Sequence, residues 1–194
     1  MQTLVFVGLG NPGVAYAKTR HNLGERTLRQ WVDAQQTAIG TAKPWQQTSS
    51  TKQVVLEIPE MQAGVTRVHC VFPLIFMNKS GEAVRQYMAD HQLPLTSLLI
   101  LHDDIELPIG EVRLVRGGSA QGHNGMRSIY QQLGVQTIAR LRLGIGRPDD
   151  VPVDQYVLGK FSSPEDLLVQ DIITKAHEVL SKICQDGIDA LLRS

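Results

Sequence analysis

Residues 3–22 read TLVFVGLGNPGVAYAKTRHN, and this stretch decides the fold. Thr3–Leu9 is apolar on both faces, the pattern of a central parallel strand covered by helices on either side. A turn-rich run carrying Gly10, Pro12 and Gly13 follows. A helix is expected from about Asn22, with Leu23, Leu28, Trp31 and Val32 recurring at helical spacing. A buried strand that turns into an amphipathic helix is the opening unit of an α/β sheet.

Working outward, residues 40–51 (GTAKPWQQTSST) read as an irregular loop, and Gln53–Ile58 and Arg67–Phe72 as strands. A helix from about Ser80 to His91 is predicted, with Ser80 as its N-cap and Ala83, Val84, Tyr87 and Met88 inward. Ser97–Leu101 (SLLIL) is another buried strand, and Glu111–Val115 alternates like a half-exposed one. His123–Leu133 reads as a helix, and Ile138–Ile145 alternates apolar residues with arginine. The last 30 residues are helical, with Leu167, Leu168, Ile172, Ile173, Ala176, Val179, Leu180 and Ile183 as the apolar set. The expectation is a single α/β domain over residues 1–194, a twisted, mixed and largely parallel sheet flanked by helices.

Composition bounds the function. The 194 residues carry 19 Lys+Arg and 19 Asp+Glu, so the net charge is zero, and 42% are hydrophobic. This argues for a packed globular protein and against a polybasic nucleic-acid coat or a disordered acidic tail. Cys70 and Cys184 are too few for a disulfide scaffold. No run approaches 18 apolar residues, and the start lacks the basic region of a signal peptide, so a cytoplasmic protein without a membrane partner is expected. The zero hides a gradient. Residues 1–147 carry 15 basic and 10 acidic side chains, and residues 148–194 carry 4 and 9. Residues 111–147 hold six arginines against Glu111 alone, which is either a solvated surface or a local basic face for a polyanion.

Polar residues fall at the ends of the apolar strands. Asn11 follows the first, Asn78 follows FPLIFM, and Asp103 ends SLLIL. His21 lies in the turn after Asn11, and His123 and Asn124 open a helix after a glycine-rich loop. Each alone reads as a turn former or cap, but in open α/β sheets ligands gather at the carboxyl ends of parallel strands. There is no G-x-S-x-G elbow, H-E-x-x-H or C-x-x-C, which leaves His21 with Asp103 and three neutral amides. A carboxylate on one imidazole nitrogen fixes the tautomer and leaves the other to take a proton from water. Asparagine amides donate to an oxyanion or bind peptide groups. The set suits attack by activated water on an acyl carbon. Loss of the carboxylate is expected to cut the rate and lift the pH at which activity appears.

Two competing readings are weak. G8-L-G-N-P-G13 matches a dinucleotide fingerprint, with Asp33 twenty residues beyond Gly13. Pro12, however, stands where a free N–H is needed, the helix starts late, and Asp33 falls inside it. A metal site from His102, Asp103, Asp104 and His123 has no recognised ligand spacing.

Five ordered blocks resemble bacterial peptidyl-tRNA hydrolase. They are V7-G-L-G-N-P-G-x-x-Y-x-x-T-R-H-N22, F76-M-N-K-S-G81, H102-D-D-I-E-L-P-I-G110, G117-G-S-A-Q-G-H-N-G125 and R140-L-R-L-G-I-G146. The resemblance covers residues 4 to about 160 and implies a metal-free, cofactor-free monomeric esterase that cleaves peptidyl-tRNA, recycling tRNA from aborted translation. By position, His21 resembles the general base and Asp103 the carboxylate that stabilises it. Asn11 resembles the residue beside the new peptide's carbonyl, which helps refuse unblocked aminoacyl-tRNA. Tyr16, Phe76, Asn78 and Asn124 resemble contacts near the tRNA 3′ end, with His123 beside them and Met77 as apolar wall. For Tyr16, Phe76 and Met77, core packing is the alternative.

The family often carries a phosphate-binding lysine where Val115 stands here. Arg113 and Arg116 flank it on opposite faces, while Arg140 and Arg142 share a face and are the stronger phosphate candidates. The alternative function is a non-catalytic RNA-binding relative on the same fold, akin to organellar splicing factors. It predicts lost catalytic positions, and none is lost. A metal-dependent amidase is a third reading, separable by a chelator.

Overall fold

A computed structural model describes residues 2–60 and 64–193. In chain order the elements are β1 (Gln2–Gly8), α1 (Leu23–Ala38), β2 (Gln46–Gln47), β3 (Thr51–Glu60), β4 (Gly64–Pro73), α2 (Ser80–Asp90) and β5 (Leu98–Asp104). They continue with β6 (Val112–Arg116), α3 (Asn124–Leu133), β7 (Ala139–Gly144), α4 (Val153–Leu158), α5 (Ser163–Asp186) and α6 (Ile188–Arg193). The strands form one sheet in the order β2-β3-β4-β1-β5-β7-β6. The central four are parallel, and β2, β3 and β6 pair antiparallel at the edges. The predicted mixed, largely parallel sheet is therefore present, with β1 near its middle.

Alternation along the strands sorts the core into two layers. Leu4 and Phe6 of β1, Leu99 and Leu101 of β5, and Leu141 of β7 pack with α1 and α5 on one face. Val5, Val7, Leu98 and Ile100 pack with α2 and α3 on the other. All four predicted apolar residues of α1 are buried. α1 sits very close to the sheet because two positions have no side chain. A Cβ on Gly8 would lie 2.8 Å from the Gly24 carbonyl oxygen, and one on Gly24 would run into the Leu101 carbonyl. Gly8 on the strand and Gly24 on the helix thus seat α1 on the strand ends, and α1 begins only at Leu23, ten residues beyond Gly13, too late to present its N-terminus to a phosphate at the glycine turn.

Several local expectations need correction. Ser80 is the first residue of α2, not its cap: a 3-10 turn at Met77–Lys79 runs directly into the helix, and the Ser80 N–H is taken by the Met77 carbonyl. The 40–51 loop contains β2, a two-residue edge strand pairing Gln46 with Gln53. β5 continues past Leu101 through His102, Asp103 and Asp104, all buried. The short helix α4 has no buried residue and no apolar stripe to announce it. In α5, Leu167 is 77% exposed, because it lies off the stripe formed by Val169, Ile172, Ile173, Ala176, Leu180 and Ile183. No helix among the described residues is long and apolar enough to cross a membrane.

Candidate active site

The carboxyl ends of β1 and β5 point to one edge of the sheet, and α1 and α2 leave that edge on opposite faces. Asp103, next to last in β5, projects toward the α1 side, where a 3-10 turn (Arg20–Asn22) brings in His21. His21 Nδ1 lies 3.0 Å from Asp103 Oδ1 and 3.0 Å from Oδ2. His123 arrives from the α3 side, its Nε2 3.1 Å from Asp103 Oδ1. The two imidazole rings are 4.7 Å apart. One carboxylate thus joins two histidines from opposite faces of the sheet.

The proton positions follow from the partners. His123 is the N-cap of α3, and its Nδ1 accepts from the backbone N–H groups of Gly125 and Met126 at 3.1 and 3.2 Å. Its proton must then sit on Nε2, which donates to Asp103. His21 donates to Asp103 from Nδ1, so its Nε2 carries the lone pair and faces the cleft. Burial works against charge on both partners. Burial raises the Asp103 carboxyl, but the two histidines outweigh it and hold the group well below the ordinary carboxylate range. Burial lowers His21, yet the Asp103 charge and hydrogen bond prevail and raise it above an ordinary histidine. His102, buried under the His123 ring at 4.9 Å, is pushed down to about 3 by burial, His123 and Arg140, so it is neutral.

Asn11 is held from three sides. Its backbone N–H donates to Asn22 Oδ1 and its carbonyl accepts from Asn22 Nδ2, both at 2.9 Å. Its own Oδ1 accepts from the Met77 N–H at 2.8 Å. The amide orientation is thereby fixed, and Nδ2, with no partner among the described residues, is the donor left for a ligand. Asn22, 1% exposed, was not among the predicted site residues. Its position at the helix start in R-H-N was the available signal.

His21 lies where two clefts meet. One, about 740 Å³, is lined by Asn11, Tyr16, Phe76, Met77, Asn78 and Asn124. The other, about 420 Å³, is bordered by Asp103, the glycine-rich loop and α4. Phe76 is 58% exposed and meets Tyr16 edge-on at 6.4 Å, so for Phe76 the core-packing alternative fails. Met77 is buried wall. Asn78 and Asn124 are exposed, and Asn124 Oδ1 accepts from Arg127 at 3.4 Å, turning its amide nitrogen outward. His123 departs from expectation: both ring nitrogens are engaged inward, so it shapes the Asp103 site instead of standing free beside the substrate contacts.

The arginines also need correction. Arg140 is 3% exposed, and it donates to the Ser119 carbonyl at 3.1 Å and to the Gly117 carbonyl. Gly117 and Gly118 have φ of 74° and 91°, a left-handed bend that Arg140 clamps, so the donors of Nη1 and Nη2 are spent inside the protein on the loop. Arg142 donates from Nε to Asp104 at 2.6 Å and from Nη2 to Gln121 at 2.9 Å, which leaves Nη1. On the edge strand, Arg113 is exposed beside Glu111 at 2.9 Å. Arg116, on the opposite face as the alternation predicts, pairs with Asp189 of α6, away from the strand ends that carry the site. The basic and acidic segments therefore meet at the Arg116–Asp189 pair, as they do at Arg20–Glu165.

His21, Asp103 and His123 are also the one set of three potential metal-ligating side chains among the described residues, with ligand atoms within 4.8 Å of one another. His21 Nδ1 and His123 Nε2 each spend a proton on Asp103, and a ring nitrogen that carries a proton has no lone pair for an ion, so binding one would first require both to give up those protons. His102 and Asp104 of the predicted quartet point elsewhere: His102 Nδ1 donates to the Asp103 carbonyl, and Asp104 holds Arg142 and the Glu106 N–H.

Comparison with known proteins finds relatives along nearly the whole chain. A family model described as peptidyl-tRNA hydrolase matches residues 5–194. The peptidyl-tRNA hydrolase of Solidesulfovibrio magneticus is 39% identical over 191 residues, 97% of this chain and 90% of its relative. That of Bacillus pumilus is 40% identical over 186 residues, covering 95% and 92%. A crystal structure of a peptidyl-tRNA hydrolase complexed with N-propanol superposes with TM-score 0.80 at 30% identity, covering 98% of this chain and 93% of that one. The Acinetobacter baumannii peptidyl-tRNA hydrolase gives 0.75 at 29% identity, covering 97% and 95%.

Proposed function

Since this chain belongs to the peptidyl-tRNA hydrolase family, we propose that it cleaves the ester between a peptide and the terminal ribose of tRNA, with water activated by His21. The observation that carries the reading is the two-oxygen contact of Asp103 with His21 Nδ1, which leaves Nε2 facing a cleft lined by three asparagines. His21 Nε2 takes a proton from water, and the hydroxide adds to the ester carbonyl carbon. The cleft's amide donors meet the charge that develops on the carbonyl oxygen. Collapse breaks the bond to the ribose oxygen, which leaves with the proton held on His21. The products are a peptide carboxylic acid, which gives its proton to solvent, and a tRNA with a free hydroxyl, so one water is consumed and the base is restored.

Asn11 supplies the selectivity. With Oδ1 taken by Met77, it offers a donor alone, which suits a peptide carbonyl and gives an unblocked ammonium no acceptor. Tyr16, Phe76, Asn78 and Asn124 are read as contacts to the 3′ end of the tRNA, and Arg113 with the remaining nitrogen of Arg142 as candidates for its phosphates. All of these come from one chain, which supports a monomer, and the substrate supports a cytoplasmic setting. The non-catalytic RNA-binding alternative makes no use of the His21–Asp103 pair. Turnover of an N-acetylaminoacyl-tRNA separates the two: hydrolysis that disappears with His21→Ala supports the enzyme, and tight binding without turnover supports the alternative.

A further inference from the structure

We propose that Arg20 is a positioning residue that ties the roof of the cleft, α4, to the turn that carries its base. The proposal rests on the functional reading above and adds a role that reading does not use. α4 has no buried residue of its own, and the element it chiefly packs on is the Arg20–Asn22 turn. Asp154 and Val157 of α4 nonetheless line both clefts, and Leu158 lines the larger one. Tyr156 and Val157 rest partly buried against the α1/α5 core layer, and the Tyr156 hydroxyl donates to the Ile145 carbonyl, but none of these side chains is fully enclosed, so the helix needs a further tie.

Arg20 meets that need. Its side chain is 10% exposed, and Nη1 donates to the Lys160 carbonyl at 2.7 Å. Nη2 donates to both oxygens of Glu165 at 2.9 Å. The guanidinium lies 4.2 Å from the Tyr156 ring centroid and 5.0 Å from that of Phe161. The Arg20 N–H donates to the Gly159 carbonyl at 2.9 Å, and Thr19 bridges to Lys160. A Cβ on Gly159 would come within 3.1 Å of Arg20 Nη1, so the small residue lets the guanidinium pass. Glu165 is fixed in turn, because it accepts from the Ser162 N–H and hydroxyl in the capping box of α5. A planar group that stacks on two rings while one nitrogen holds a carbonyl and the other a carboxylate is a use for which lysine is a poor substitute.

One residue before His21 therefore grips α4, the 159–161 connection and the start of α5. Asp103 and His123 reach His21 from β5 and α3, independently of this grip. Weakening Arg20 should accordingly loosen the roof and leave the base intact.

The test uses the full chain with Arg20→Lys and Glu165→Gln, each checked for folding by circular dichroism. For N-acetylaminoacyl-tRNA, the tether predicts a KM raised about tenfold, as for a roof correctly placed in about a tenth of the molecules, with kcat and the pH midpoint of kcat/KM unchanged. Hydrogen exchange, read without any substrate, should quicken over residues 153–161 in both variants and stay the same over β5. Unchanged exchange at 153–161 in folded variants overturns the proposal, as does a fall in kcat with a moved pH midpoint, which would make Arg20 part of the base. If the wild type cleaves no peptidyl-tRNA ester, the functional reading falls, while the exchange measurement still decides the tether.

Discussion

His21 Nδ1 sits at 3.0 Å from each carboxylate oxygen of Asp103, across 82 residues of sequence. An anion so placed does two things to the base. It fixes the tautomer with Nε2 free, and it favours the imidazolium that forms when water gives up its proton.

The second effect sets the sign of a pH experiment. His21 is raised above an ordinary histidine by Asp103, and only its neutral form is a base. Activity therefore rises with pH through the His21 pKa. Asp103→Asn removes the raising charge while burial still lowers the group, so the acid limb of kcat/KM should move to lower pH, and the plateau should fall by roughly 10²–10⁴-fold. The direction is opposite to the sequence expectation, because a lost anion disfavours imidazolium and so lowers the onset. A limb that moves to higher pH, or stays put, contradicts the pairing.

Asn11→Ala should leave the fold intact, since both backbone bonds to Asn22 survive the substitution. It should lower kcat/KM for an N-blocked ester by roughly 10–100-fold, the scale of one lost hydrogen bond in a dry site, and narrow the preference over the unblocked ester. Steady-state assays on the two esters check this, and an undiminished preference tells against the role.

Arg140→Gln should act on stability. Its donors clamp the Gly117 and Ser119 carbonyls, so replacement should cost about 1–3 kcal/mol in urea unfolding and leave the salt dependence of tRNA binding as it is. Arg113→Gln should do the reverse, because an exposed pair with Glu111 is worth ~1 kcal/mol at most and leaves Arg113 free to swing to a phosphate. The log–log salt slope should become shallower by about 1 for that single contact. A changed slope in Arg140→Gln, or an unchanged one in Arg113→Gln, reverses these assignments.

A chelator separates hydrolysis by the histidine from an ion held by His21, Asp103 and His123. Excess EDTA should leave kcat unaltered. A loss restored by zinc would give those three side chains to a metal instead.

Much of this was legible because it is local or periodic. β1, α1 and β5 announce themselves through apolar spacing, and residues that follow parallel strands end at one edge of the sheet, which brought Asn11, His21 and Asp103 together. Alternation correctly separated Arg113 from Arg116 by face. It could not say what each side chain meets, so Arg140 and Arg142, sharing a face, look alike in sequence while one is buried under the glycine loop. His123 as an N-cap was hidden for a similar reason: histidine is an unusual cap, and its second nitrogen finds Asp103 only once α3 is packed. β2 and α4 escaped because a polar edge strand and a helix without a buried stripe carry no hydrophobic period. The grip of Arg20 on Glu165 spans 145 residues and has no local signature.

The central claim is that His21 is the base, and turnover of N-acetylaminoacyl-tRNA by His21→Ala tests it most directly. With the circular dichroism of the wild type retained, the variant should lose at least about 10²–10⁴-fold in kcat, the contribution of a positioned general base. Retention of wild-type kcat in the folded variant would contradict the account.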